Sequence, residues 1–277
     1  MTSNMQRRAV FLDEIGVGPL WVRRDAAPDE ASPPAGVAAG NVEARQPVVE
    51  AKSAAVEAAP SVAPGRAGLP EAFDPPSHVP SADEVARMDW AALKASVAGC
   101  TKCGLCSGRT QTVFGVGDEK AKWLFVGEGP GRNEDLRGEP FVGPAGKLLD
   151  NMLLAMGLRR GENAYIANIV KCRPTDDTGR DRPPAPDEAA ACMPYLQRQI
   201  ALIQPAVIVA LGKTAALSLL GLDPETPVSK LRGSVHRYAD RPLIVTYHPA
   251  YLLRNMADKR KAWADLCLAM ATYAGAD

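Results

Sequence analysis

The sequence predicts an α/β domain of three layers, a mainly parallel sheet covered by helices on both faces. Two observations carry this. Short apolar runs alternate with longer segments of helical periodicity, and a Gly-, Pro- or polar-rich loop begins where each run ends. In a sheet of that kind the ligand crevice lies beyond the carboxyl ends of the strands, so these loops are expected to converge on one site.

The elements follow in order. Residues 1–25 include RRAVFLDEIGVGPLWVRR (7–24), with Phe11, Leu12, Ile15, Leu20 and Trp21 among charges. Two readings stand side by side: a terminal helix packed on its own domain, or a tethered docking peptide for a protein partner with Trp21 as anchor. Residues 26–81 consist mostly of Ala, Pro, Val, Glu, Gly and Ser. So few large apolar groups do not offset the entropy of ordering the chain, and the segment reads as a disordered linker. The folded domain is expected over 82–277. It starts with SADEVARMDWAALKASVAG, read as one helix with Ser81 as N-cap and Glu84 three residues on. KWLFVGE, AYIANIVK, AVIVALG and LIVTYH read as buried strands, and His236 falls on an edge strand. GKLLDNMLLAMGL, DEAAACMPYLQRQIALI, KTAALSLLG and DKRKAWADLCLAMATYA read as helices. The loops that matter are GEGPG, NIVKCRP, LGKT and YHPAYLL.

Charge and composition narrow the function classes. The whole chain is neutral, but residues 1–85 carry 7 Lys/Arg against 12 Asp/Glu, and residues 86–277 carry 25 against 20. A mildly basic folded part is compatible with a polyanion. No apolar run approaches the length of a membrane span, and MTSNMQRRAV lacks the apolar core of a secretory signal. The expected location is the cytoplasm. There, six cysteines serve as metal ligands or free thiols rather than disulfides.

Two nucleotide motifs fail on inspection. Gly127, Gly129 and Gly131 resemble a dinucleotide loop, but the third glycine of G-x-G-x-x-G would fall at Arg132. The tails Gly212-Lys213-Thr214 and Gly146-Lys147 lack the first phosphate-loop glycine, which would have to be Val207 or Phe141. The cysteines are more informative. Cys100, Cys103 and Cys106 lie in CTKCGLC, Cys172 in VKCRP and Cys192 in AACMP, while Cys267 sits alone in an apolar helix. A CxxC pair holds one metal site but needs two ligands from elsewhere. Spacing leaves zinc and iron–sulfur both open, and leaves open whether Cys106 or the distal pair completes the set.

In combination CTKCGLC, VGEGPGRNED, RGEPFVGPAGKLLD, ANIVKCRP, Cys192 and TYHPAYLL resemble the family four (iron–sulfur) uracil-DNA glycosylases, over about residues 95–273. The resemblance implies a uracil-glycosylase fold and a 4Fe-4S cluster held by Cys100, Cys103, Cys172 and Cys192, leaving Cys106 and Cys267 spare. The loop TDDTGRD, between the third and fourth of these ligands, is a departure that alters the neighbourhood of the DNA. The implied partner is uracil-containing DNA, with no membrane, and the implied state is a monomer.

The pocket residues then acquire chemistry. A base inside a duplex is beyond reach, so it must be swung out and read by edge and face. Phe141, flanked by Gly and Pro, suits stacking on it. Asn168, at a strand end, offers the donor and acceptor that distinguish uracil from cytosine. His248 follows the last strand, where a nitrogen donor aimed at uracil O2 stabilises the leaving group as charge grows. Gly127 and Gly129 let backbone and the Glu128 carboxylate crowd against base and sugar. Glu128 is assigned to shaping the pocket and steadying the water or the oxocarbenium-like centre. Gly129 stands where other uracil-glycosylase families place a catalytic Asp, so no obvious general base is present. Glu134 and Asp135 read as a solvated helix start. Leu252 or Leu253 is the candidate wedge, with Arg254 on phosphate; Lys147, Lys171, Arg173, Lys213 and Arg232 are further candidate phosphate contacts.

The function expected is a monofunctional uracil-DNA glycosylase that leaves an abasic site for base-excision repair. The rival is a non-catalytic iron–sulfur module that binds DNA or a polymerase. A relative that traps DNA covalently is disfavoured, because the basic, His-bearing insertion of such relatives is missing after GPAGKLLD and ANIVK.

Overall fold

A computed structural model describes residues 79–274. The candidate docking peptide (7–24), His78 and nearly all of the linker lie outside the described residues. The sheet has six strands: β1 (Val116–Gly117), β2 (Trp123–Gly127), β3 (Ala164–Asn168), β4 (Val207–Leu211), β5 (Val235–Tyr238) and β6 (Arg241–Thr246). Their order is β1-β3-β2-β4-β6-β5. The four central strands are parallel, and the two edges, β1 on β3 and β5 on β6, are antiparallel. The central four are the four apolar runs of the sequence. β1 has only two residues, too few to leave an apolar pattern, and was not anticipated.

The helices are α1 (Ala82–Arg87), α2 (Trp90–Ala98), α3 (Arg132–Arg137), α4 (Pro144–Ala155), α5 (Pro186–Ile203), α6 (Lys213–Leu220), α7 (Val228–Leu231), α8 (Pro249–Arg254) and α9 (Lys259–Ala274). Side-chain alternation along the strands divides the interior into two cores. Leu124, Val126, Ile208, Ala210, Leu243 and Val245 pack with Val85, Leu93, Tyr195, Leu196 and Ala216, and so with α1, α2, α5 and α6. Trp123, Phe125, Val207, Val209 and Ile244 face the other way and pack with Leu149, Met152, Leu252, Trp263 and Leu266, from α4, α8 and α9. Both faces are covered, which is why the strands read as continuous apolar runs. These are the three layers expected.

One expectation is corrected at the start of the domain. The segment 82–98 is two helices, not one. Ser81 does close a capping box with Glu84, but Met88 is extended and Asp89 caps the next helix by accepting from the Ala92 amide at 2.8 Å. An Asp side chain bonded to a backbone N–H two or three residues on starts a helix rather than continuing one.

The carboxyl ends of the parallel strands face one side. β2 runs into GEGPG, β3 into NIVKCRP, β4 into LGKT and β6 into YHPAYLL. Gly127 and Asn168, the last residues of β2 and β3, are directly paired in register. Past them the Ile169 and Val170 amides still donate to the Gly127 and Glu128 carbonyls, so the two loops leave the sheet together.

Candidate functional site

Gly127 brings three of the expected residues together. A methyl group on its Cα would lie 2.5 Å from Asn168 Oδ1 and 2.6 Å from Phe141 Cζ. Only hydrogen lets the strand end pass beneath both side chains. The Phe141 ring stacks on the His248 imidazole, centroids 5.5 Å apart at 30°. Asn168 is buried and its Oδ1 has no hydrogen-bond partner. An unsatisfied buried amide is costly, and this one points toward the aromatic cluster, where an incoming donor would satisfy it. On the activity that the resemblance implies, Gly127→Ala is therefore expected to cut kcat/KM on deoxyuridine DNA by more than tenfold with the protein still folded; steady-state kinetics beside circular dichroism check it.

His248 sits where β6 gives way to α8. It is the N-cap of that helix, and its Nδ1 accepts the Ala250 amide hydrogen at 3.2 Å. An acceptor at Nδ1 leaves the ring proton on Nε2, a neutral tautomer that presents a donor. Burial, then the nearby Arg254 charge, pushes the pKa of His248 down to about 4, with Glu134 acting in the opposite direction. Gly212, with φ +96°, makes room for this residue, since a Cβ there would lie 2.9 Å from that of His248. His236, by contrast, is tied through Nε2 to the Leu231 carbonyl at 2.7 Å on an edge strand and has no place in this group.

Glu128 is held from the next strand over. The Thr214 hydroxyl, in the first turn of α6, donates to its carboxylate. Burial raises the Glu128 pKa and this hydrogen bond opposes the rise. Thr214 thus ties the LGKT loop, beside His248, to the GEGPG loop; as part of a failed phosphate-loop motif it had no assigned role. Gly129 presses on Val170 and Pro174, its absent Cβ lying 2.8 Å from Val170 Cγ2, which packs the two loops face to face.

Glu134 and Asp135 are not a solvated helix start. Asp135 is buried and accepts the Thr110 amide at 2.9 Å. Glu134 Oε1 accepts the Val142 and Gly143 amides at 2.9 and 3.1 Å, fastening the loop that carries Phe141. Nothing in the sequence marks either residue, because their partners are backbone amides brought near only by the fold. Phe141 is buried and has φ +55°, a conformation that costs a non-Gly residue of order 1–3 kcal/mol.

The wedge and phosphate expectations are narrowed. Leu252 is 1 % exposed and packs in the core beneath α8, so it cannot enter DNA; Leu253 is exposed, as is Arg254. Leu252→Ala should lower stability by about 2–5 kcal/mol. Leu253→Ala should leave the melting temperature in place while weakening excision from duplex more than from single-stranded DNA; thermal melts with paired excision assays separate the two. Lys171 is buried, its ammonium donating to the Asn168 carbonyl at 2.9 Å and to Gln199 Oε1 at 2.7 Å, so it reaches no phosphate. Arg232 is engaged by Asp265 and lies over the Tyr247 ring, and Arg173 pairs with Asp181. Lys147 and Lys213 remain exposed.

The cysteines fall into two groups, and the choice that spacing left open between Cys106 and the distal pair is not made by their grouping. Cys100, Cys103, Cys106, Cys172 and Cys192 line one cavity with Arg109, Lys171 and Tyr195; Cys267 packs against the opposite core. Among the described residues no group of three or more His, Cys, Asp or Glu is drawn close enough to hold a single metal ion. Burial raises the pKa of Cys103 and Cys172, and that of Cys192 to about 12. Two donors already address the sulfurs: Arg109 Nη1 to Cys172 Sγ at 3.2 Å and the Lys171 amide to Cys192 Sγ at 3.3 Å. Cys172 lies four residues beyond Asn168, so the cavity and the aromatic cluster share one stretch of chain.

Comparison with known proteins decides the family. The family model of the uracil DNA glycosylase superfamily matches residues 114–267. The type-4 uracil-DNA glycosylase of Archaeoglobus fulgidus is 49% identical over 160 residues, 56% of this chain and 78% of that protein. The chain belongs to the type-4 uracil-DNA glycosylases. Its likeness to the Thermotoga maritima type-4 enzyme is 46% over 161 residues, 58% of this chain and 81% of the relative. The Sulfurisphaera tokodaii enzyme is 45% identical over 170 residues, 59% and 75%. The matched residues 114–267 include Gly127, Phe141, Asn168 and His248, which lie at or beyond the carboxyl ends of the parallel strands. Among the described residues no helix is long and apolar enough to cross a membrane.

Proposed function

We propose that this uracil-DNA glycosylase excises uracil from DNA by closing Gly127, Phe141, Asn168 and His248 around the extruded base. The observation that carries the reading is the His248 imidazole, stacked on Phe141 with Nδ1 occupied by the Ala250 amide. Phe141 stacks on the flipped base. The Asn168 amide, whose Oδ1 has no other partner, accepts from uracil N3–H while its NH2 donates to O4; cytosine presents the reverse at position 4 and no N3–H. Gly127 removes the bulk that would keep the ring out.

As the glycosidic bond lengthens, negative charge collects on uracil O2 and positive charge on the sugar. The neutral His248 gives its Nε2–H to O2, an interaction that strengthens with that charge and so lowers the barrier rather than merely binding substrate. Glu128, fixed by Thr214, places a carboxylate at the face where the sugar becomes electron-poor and where water adds. Leu253 fills the space left in the stack and Arg254 holds phosphate. Water completes the reaction at the sugar carbon, giving free uracil and an abasic site for base-excision repair.

Cys100, Cys103, Cys172 and Cys192 hold a 4Fe-4S cluster. Four thiols lining one cavity, Cys172 and Cys192 buried and Cys100 and Cys103 half-buried, beside Arg109 and Lys171, suit a polyatomic group of net negative charge better than one ion. When bound it supplies a structural tie among three chain segments, since hydrolysis of this bond needs no electron transfer. A protein partner for residues 7–24, action as a monomer and a cytoplasmic location complete the reading. Excision assays on single-stranded and duplex DNA carrying one deoxyuridine test it: release of uracil is the expected outcome, and intact DNA at high enzyme concentration overturns it.

A further inference from the structure

We propose that Arg160 is a positioning residue for uracil excision, clamping the left-handed backbone of Phe141 so that its ring is held ready for the base; this rests on the reading of Phe141 as the stacking residue. Arg160 sits in the loop between α4 and β3, on a turn whose Gly161 has φ +84° and in which the Glu162 amide donates to the Arg159 carbonyl. Its guanidinium points back toward the Phe141 loop. Nη1 donates to the Pro140 carbonyl at 2.8 Å and Nη2 to the Phe141 carbonyl at 2.8 Å. Nε donates to Asp150 Oδ1 on α4 at 3.0 Å, and Glu139 lies 3.4 Å from Nη1. The planar fork thus binds two successive carbonyls while a carboxylate fixes its far edge, a geometry an ammonium cannot reproduce.

Two independent features point to the same backbone. The Phe141 carbonyl lies in a notch on α4 that only glycine permits, for a Cβ at Gly146 would come 1.8 Å from that oxygen. On the other side Glu134 takes the next two amides. Phe141 itself has φ +55°, which a bulky residue keeps only when its surroundings hold it. Carbonyls held by Arg160, amides held by Glu134 and a notch at Gly146 fix the backbone from which the ring reaches Gly127 and His248.

The test is a double-mutant cycle in the full-length protein on single-stranded deoxyuridine DNA, with melting temperature measured in parallel. Phe141→Ala sets the value of the stack, about 5- to 150-fold in kcat/KM for a base on an aromatic ring. Arg160→Met is expected to lose most of that factor, chiefly through KM, and to add nothing in the Phe141→Ala background. Arg160→Lys, which keeps the charge but not the fork, should recover little. Gly146→Ala pushes the same carbonyl from the opposite side and should reproduce the kinetic loss if Arg160→Met does not fold. Additive losses in the double variant, or a lowered melting temperature with unchanged KM in every folded variant, overturn the clamp and leave Arg160 a structural ion pair. Failure of the wild-type protein to release uracil overturns the functional reading itself, a distinguishable result.

Discussion

Replacing His248 with alanine is expected to lower kcat for uracil release by about 10²–10³, the range typical for removing one preorganised donor from a developing oxyanion. KM should change little, because O2 carries its full charge only in the transition state. His248→Gln, which keeps an N–H donor on a side chain of similar reach, should recover part of the loss. Equal losses of binding and turnover in both variants would mean that the imidazole acts in the ground state instead. The protonation state supplies a second readout. The folded pKa lies at about 4, below the ordinary value near 6.5, so the ring is neutral throughout the physiological range and donates as an imidazole. The linkage follows from that sign. Above pH 6.5 neither the folded nor the unfolded chain binds a proton here, and the contribution to stability is at its full value. Between pH 6.5 and 4 the unfolded chain takes up a proton that the folded one refuses, so stability falls as the pH drops and levels off below 4. His248→Gln should flatten that part of the stability profile. Ring NMR should find the imidazole neutral at pH 6, with the proton on Nε2; a doubly protonated ring at that pH contradicts the tautomer that the Ala250 amide imposes.

What the sequence disclosed follows the range of each interaction. The central strands are buried on both faces, and their apolar runs were legible because every position along them must exclude water. The loops at their carboxyl ends were legible because close approach leaves glycine at 127, 129 and 212. Short edge strands carry no such pattern, and β1 was missed. Glu134, Asp135, Arg160 and Thr214 were misread or passed over for a different reason. Each serves through a backbone carbonyl, an amide or one carboxylate supplied by a distant segment, and no local spacing encodes such a partner. Lys171 was misplaced for the same reason: a lysine beside a basic loop reads as solvated until Gln199, 28 residues away, is seen to meet it. Leu252 and Leu253 are indistinguishable as letters, and the rotation of a six-residue helix sends one to the core and the other to solvent.

Removing a cysteine ligand should act on stability first and on catalysis through it. On the proposed ligand set, Cys192→Ala removes the one ligand contributed by α5, so iron content should fall and the visible absorption of the cluster should bleach. Loss of a structural metal belongs to the rare changes worth more than about 4 kcal/mol, and each kcal/mol moves the melting temperature by about 2–4 °C in a domain of this size, so a drop of roughly 10 °C or more is expected. The catalytic consequence travels by a short route. The Lys171 amide donates to Cys192 Sγ, the Lys171 ammonium holds the Asn168 carbonyl, and Gln199 of α5 holds that ammonium. When α5 is no longer tied to the 171–172 segment, this buried cation loses its fixed partners and Asn168 loses its support. Discrimination between uracil and cytosine should therefore weaken along with kcat/KM. Cys106→Ser is the control. Cys106 lines the same cavity, but the type-4 reading leaves it spare, so iron content, melting temperature and excision should all remain. Loss of iron in Cys106→Ser with retention in Cys192→Ala would reverse the ligand assignment, and retention of full base discrimination after the cluster is lost would break the proposed link from α5 through Lys171 to Asn168.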